Sequence, residues 1–389
     1  QRFQDAAADF PGITVHALPT QEILRPLFEG DNLEASHAEL RAFLQPLCDQ
    51  NFDLIVNLAF SPSSSFLADY LATSRTDVRG YTRHGDGHFH VPDDTSAYFY
   101  AQVGIGRANR YHLTEIFAAI AGVDLVEEDF YYAEQTYSGP RHGIVVHLGA
   151  STENKTYPPE LWVEAIRDIL ATTPVTLIGS SGERALSDTV VSQLPKGNLC
   201  NRVGETSLRE LFQVVGTAEV LIGADSAPVH IATLTKTPVL NLSSSTVNFW
   251  ETGPMSPGSR ILFENDIAAI PPRSIARQSL AMVRGLEPLE KCAARSGLLM
   301  PYELHGLQFE NFRWQLVQAL YTGTPFPTVE SAADRLGFQR LFELSELALQ
   351  QLERWPTLKD VSVAGKILAQ IDILLKEVAE LSPGVEPVV

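Results

Sequence analysis

From residue 143 onward, short apolar runs alternate with longer segments of helical periodicity. The runs "GIVVHL", "PVTLIG", "NLCNRV", "EVLIG", "PVLNL" and "SRILF" are rich in Val, Ile and Leu and end at turn residues. Between the first five, apolar positions recur every three to four residues over 159–171, 183–193, 207–217 and 227–235. Strands without a polar face, each followed by an amphipathic helix, predict a parallel sheet covered on both sides. The expected fold class is therefore α/β, built on a doubly wound domain.

The first third is less regular. "GITVHAL" and "FDLIVNLAF" read as buried strands, with a helix over 36–50 between them, a second helix over 63–74, and "DVRGYT" closing a third strand. The polar, glycine-rich stretch "RHGDGHFHVPDDTSAY" reads as a loop. After residue 270, "PPRS" breaks the alternation. Segments 307–321, 329–353 and 358–381 then carry Leu, Ala and Phe at helical spacing. The pattern divides the chain into an α/β half over 1–138, a second α/β domain over 139–290, and a helical extension over 291–389.

Charge changes the picture in one respect. Twenty-nine Lys and Arg stand against 47 Asp and Glu, a net of −18, which argues against a nucleic-acid binder. A local positive pocket for a small anion remains compatible with that balance. Cys48, Cys200 and Cys292 form neither a disulfide framework nor a CxxC metal pair, and a reducing cytoplasm is the expected compartment. Cys200, inside "NLCNRV", is expected to be a buried core thiol. No apolar run is long enough to span a membrane, so at most peripheral membrane contact is expected.

Candidate chemistry collects at predicted strand ends, where ligands of open α/β sheets bind. In "VLIGADSAPVHIATL", Asp225 or Ser226 can cap a helix whose first turn tolerates Pro228. That plain cap competes with a second reading, in which the helix N-terminus receives a phosphate. A Ser-His-Asp hydrolase reading is weak, because Ser226 is not in a G-x-S-x-G elbow and Asp225 cannot orient the far side of the His230 ring. In "HLGASTENKTYPPELW", Lys155 precedes a helix start, where its charge opposes the dipole and favours a functional role modestly. In "LIGSSGERA", Glu183 stands in a first helical turn, where a carboxylate is stabilising in any case. His84, Asp86, His88 and His90 could converge on a metal if extended, but no zinc pattern is present, and an acceptor-facing or merely mobile loop is the favoured reading.

These stretches, with "VGETSLRELFQVVGTAEVLIGADSAPVHIATLTKTPVLNL" and "ETGPMSPGSRIL", resemble the heptosyltransferase family, glycosyltransferase family 9. The resemblance is close over 143–263 and looser over "FPGITVHAL", "FDLIVNLAFSPSSSFLADYL" and "VRGY". It implies a GT-B architecture of two Rossmann-like domains, an N-terminal acceptor half and a C-terminal donor half. It implies inverting transfer of heptose from ADP-heptose to a saccharide acceptor in lipopolysaccharide or related glycan synthesis, with no cofactor and no metal.

By the same resemblance, Asp225 contacts the donor sugar, and Ser226, the Ala227 backbone and His230 hold the pyrophosphate. Lys155, with Ser151 nearby, pairs with phosphate or sugar oxygens, Glu183 binds the ribose hydroxyls, and Thr206 lies near the base. Asp225 and Lys155 are the expected catalytic pair. Two positions depart from the family pattern: Ala227 replaces a Gly and Tyr157 replaces a Trp. The family's opening strand and its Gly-Asp loop, which carries the general base, precede everything visible here, so residues before Gln1 are expected in the natural protein. A GT-B nucleotide-sugar epimerase or hydrolase, and a catalytically degenerate binding or assembly protein, are the alternative readings.

Overall fold

The computed structural model describes residues 12–30, 32–59, 61–130, 139–150, 152–289, 291–355 and 362–388. Its contacts divide the chain into two compact units. One takes in the described residues up to Ala97 with Leu113–Leu307; the other takes in Tyr98–His112 with the described residues from Gln308 onward.

The first unit opens with helices α1 (Thr20–Gly30) and α2 (Leu33–Cys48), followed by β1 (Leu54–Asn57), α3 (Pro62–Leu71) and β2 (Asp77–Gly80). A hairpin of β3 (Thr82–Arg83) and β4 (Phe89–His90), the first turn of α4 (Asp94–Gln102), whose remainder belongs to the second unit, and α5 (Leu113–Ala121) complete this region. Strands β1 and β2 pair in parallel, Leu54 opposite Asp77. Two expectations fail here. Residues 12–18 form no strand: they run irregular and largely exposed, and among the described residues no strand pairs with them. The stretch 83–90 is a hairpin rather than a loop, because Thr82 pairs with His90 and Arg83 with Phe89.

The rest of the unit is the doubly wound domain. Its elements are β5 (Ile144–His147), α6 (Pro159–Leu170), β6 (Val175–Ile178), α7 (Arg184–Val191), β7 (Leu199–Asn201), α8 (Leu208–Gly216), β8 (Val220–Ala224), α9 (Ala227–Leu234), β9 (Val239–Ser244), α10 (Phe249–Thr252), β10 (Arg260–Glu264), α11 (Pro272–Val283), β11 (Cys292–Ala294) and β12 (Glu303–His305). They form one eight-stranded sheet in the order β12-β11-β10-β9-β8-β5-β6-β7. The strands from β5 to β10 are parallel, whereas β11 and β12 add to the β10 edge antiparallel. Residues 291–307 are thus part of the sheet and not of the helical region.

Alternation along the strands separates two cores. Ile144, Val146 and Leu177 face α6 and α11, where Trp162, Ile166, Ile169 and Ile275 are buried. Val145, Leu221 and Val239 face the opposite way, onto Val215 of α8 and Val229 and Ala232 of α9. Both faces are therefore covered, which is why the strands read as continuous apolar runs. Cys200 is exposed rather than buried. It lies on β7, the edge strand, which has a neighbour on one side only.

Helices α12 (Phe312–Thr322), α13 (Ala332–Arg354) and α14 (Ser362–Leu381) make up most of the second unit. Ser331 caps α13 through the Asp334 N–H. Gly337 of α13 lies so close to Ser382 and Val385 that a Cβ there would meet them inside van der Waals contact. Glu386 holds Arg107 and Arg313, and Tyr111 meets Trp314 edge-on at 5.1 Å. Among the described residues no helix is long and apolar enough to cross a membrane.

Candidate functional site

The sheet order reverses direction between β5 and β8, the switch point of a doubly wound sheet, where a crevice opens at the carboxyl ends of the strands. The chain leaving β5 carries a single-turn 3-10 helix, Glu153–Lys155, before the Pro158-Pro159 start of α6. Lys155 Nζ lies 3.3 Å from Asp225 Oδ2, just after β8, with both side chains largely enclosed. Two residues seventy positions apart in sequence thus face each other across the switch point as an ion pair.

A second group of contacts lies beside the pair. His147 ends β5 and is 7% exposed. Its Nε2 is 3.2 Å from Glu183 Oε1, and its Nδ1 is 3.0 Å from Ser226 Oγ. The other carboxylate oxygen of Glu183 accepts from the Ser180 N–H at 2.5 Å and the Ser180 hydroxyl at 2.8 Å. Burial opposes ionisation of Glu183, but the His147 hydrogen bond and charge, with the two Ser180 donors, outweigh it and hold its pKa at about 2.

Glycine makes room for this group. A Cβ on Gly149 would fall 1.6 Å from Glu183 Oε1, and one on Gly223 would fall 3.3 Å from the His147 Cβ. The close approach of backbone to side chain is what these two positions require.

Glu183 also makes a pH-dependent contribution to stability. Its carboxyl is lowered from 4.5 to about 2, so the stabilisation is present above pH 4.5 and is lost as pH falls toward 2. Unfolding measured across that window should show a shallower acid loss for Glu183→Gln than for the natural chain. Parallel slopes would show that the carboxylate is not held as described.

Ser226 occupies the N-cap position of α9, but its side chain does not cap the helix, contrary to the plain-cap expectation. The hydroxyl instead donates to the Ala224 carbonyl at 3.0 Å and meets His147. Ala227, the first residue of α9, is exposed beside it, so its methyl group borders the crevice. His230, one turn in, is an exposed residue. The surrounding chain nonetheless desolvates it enough to lower its pKa, with the Asp225 charge opposing.

The structure therefore brings Lys155 to Asp225, and Glu183 to Ser226 through His147. Thr206 lies on the loop from β7 to α8, and Gly204 of the same loop packs against Ser181 of the Glu183 turn. Ser151 falls outside the described residues. Tyr157, in place of the family's Trp, is buried and donates to the Ile270 carbonyl at 2.6 Å, which makes it a support of the site.

Sequence reasoning missed His147 and Ser180. The available signal was a histidine on the second-core face of an otherwise apolar strand, with its two-residue alternation. The His84 and His90 rings meet at a tilt across the hairpin, with centroids 4.1 Å apart. Among the described residues, no group of three or more His, Cys, Asp or Glu is arranged to hold a metal.

An uncapped helix start, a lysine paired with an aspartate, and a pinned carboxylate thus meet at the switch point of a doubly wound α/β sheet. The profile of glycosyltransferase family 9 (heptosyltransferase) matches residues 40–276, more than half of the chain. The chain belongs to that family, and it is a glycosyltransferase.

Solved structures similar to it include a family 9 glycosyltransferase from Veillonella parvula, at 14% identity over 64% of this chain and 78% of that one, TM-score 0.46. The ADP-heptose LPS heptosyltransferase II of E. coli is similar at 17% identity over 73% and 93%, TM-score 0.47. The E. coli heptosyltransferase WaaC, solved with ADP, is similar at 14% identity over 67% and 82%, TM-score 0.47. Among curated proteins, none matches the sequence.

Proposed function

We propose that this chain transfers a heptose from ADP-heptose to a saccharide acceptor, with inversion and without a metal, in the synthesis of lipopolysaccharide or a related surface glycan. The observation that carries the reading is the Lys155–Asp225 pair beside the uncapped start of α9. Within this reading the donor half spans 139–290, the acceptor half spans 1–138, and the work is done in the cytoplasm.

The acceptor oxygen attacks the anomeric carbon from the face opposite the leaving group. The bond from that carbon to the diphosphate oxygen breaks, and the acceptor proton passes to a base. Positive charge builds on the sugar while negative charge builds on the departing ADP. Asp225 faces the first and Lys155, with the α9 N-terminus and His230, the second; fixed groups of this kind favour the transition state over the bound substrate. Glu183 receives the ribose hydroxyls, and Thr206 and Ser151 border the nucleoside and phosphate.

Titration calorimetry with ADP, UDP and GDP, followed by assay of ADP release from ADP-heptose with a saccharide acceptor, tests the proposal. ADP should bind most tightly, and release should need the acceptor. A preference for UDP or GDP would overturn the donor, and acceptor-independent release would indicate hydrolysis.

A further inference from the structure

We propose that His147 is a positioning residue that clamps the nucleoside side of the donor pocket to its phosphate side. The inference rests on the donor reading above, and it adds a residue that the pattern of strand ends did not single out. Both ring nitrogens are engaged, Nε2 by Glu183 and Nδ1 by Ser226. Glu183 belongs to the turn after β6 and Ser226 to the turn after β8, on either side of β5. The imidazole thus joins two turns whose strands, β6 and β8, each pair with β5 but not with each other.

The surroundings are built for that link. Glu183 is fixed from behind by Ser180, so its remaining oxygen has one place to go. Ser226 is fixed from behind by the Ala224 carbonyl. The missing side chain of Gly149 leaves the space that the Glu183 carboxylate occupies, and that of Gly223 leaves room for the base of the His147 side chain. His147 itself is almost wholly enclosed, and a buried imidazole is retained at such a place only with its polar atoms partnered.

The connectivity also excludes a nucleophilic role. In a Ser-His-Asp triad the serine faces Nε2 and the carboxylate Nδ1. Here the order is reversed, and the hydroxyl is turned toward the Ala224 carbonyl rather than into the crevice.

Two near-isosteric variants separate the halves of the clamp. The amide of His147→Gln can occupy the Nε2 position and keep Glu183 partnered while releasing Ser226. The amide of His147→Asn occupies the Nδ1 position and does the reverse. The probes are inorganic pyrophosphate for the phosphate side, adenosine for the nucleoside side, and ADP for both, each by calorimetry on the full chain.

His147→Gln should weaken pyrophosphate about fivefold and leave adenosine unchanged, the loss expected for one hydrogen bond to a neutral group. His147→Asn should weaken adenosine about tenfold or more and leave pyrophosphate unchanged, because the bond lost is to a charged group. ADP should weaken in both. Parallel losses for all three probes in both variants would mark His147 as a merely structural residue and overturn the proposal.

If the natural chain binds none of the probes, the donor reading fails and the clamp is judged without ligand. The ¹⁵N resonances of the His147 ring should then respond separately, Nδ1 to Ser226→Ala and Nε2 to Glu183→Gln. Resonances that ignore both substitutions would overturn the clamp alone.

Discussion

Lys155→Ala should lower kcat/KM for the nucleotide-sugar donor by roughly a hundredfold to a thousandfold, the range for losing one preorganised partner of a developing anion. In the unliganded chain the ammonium is neutralised by Asp225 at 3.3 Å. Its backbone is held by the turn that Lys155 N–H closes onto the Thr152 carbonyl, braced by the Thr156 hydroxyl on the same oxygen. In the proposed transfer, the donor diphosphate offers Lys155 a second anion, and that anion gains charge as its bond to the sugar breaks. The interaction is therefore stronger in the transition state than in the bound substrate, so kcat should fall more than KM rises.

Removing the lysine also strands a largely enclosed carboxylate. Lys155→Ala with Asp225→Asn should accordingly be less impaired than the sum of the two single changes. Steady-state kinetics with ADP calorimetry check both points. A kcat/KM within about threefold of the natural chain would remove Lys155 from the mechanism.

Trp162→Ala should destabilise the chain by about 3–5 kcal/mol, the range for truncating a large buried aromatic side chain. Trp162 is 1% exposed in the core between the sheet and α6. It meets Tyr157 edge-on at 5.1 Å, and its indole N–H donates to the Leu148 carbonyl at 3.2 Å. That carbonyl belongs to the residue after His147, so the indole ties α6 to the strand end that carries the site. The substitution leaves both a void and an unpaired carbonyl. Trp162→Phe keeps most of the packing and loses the hydrogen bond, for about 1 kcal/mol. Urea unfolding of the two variants separates the terms; equal losses would mean that the indole N–H carries the whole effect.

Much of the donor half was legible because its information is local. Six apolar runs and the helices between them announce their periods over windows of four to twelve residues. The fold, with the central strands β5, β8 and β9 covered on both faces, follows from runs that lack a polar face. Lys155, Glu183, Asp225 and Ser226 were legible as candidates because each lies in the turn between a strand and the helix that follows it. Over 12–18 the same reasoning failed: an apolar run becomes a strand only beside a neighbour that completes its hydrogen bonds. At 83–90, cross-strand pairing overrode a glycine-rich composition, and Cys200 became exposed because an edge position is a property of the sheet order.

What the sequence determined by itself is the succession of elements and the chemical types at their ends. Which of those ends meet was decided by the tertiary structure. Lys155 finds Asp225, and His147 finds Glu183 and Ser226, only because β5 lies between β6 and β8. That order comes from packing helices on both faces of one twisted sheet. No local window contains it, since the partners it joins are separated by whole strands and helices.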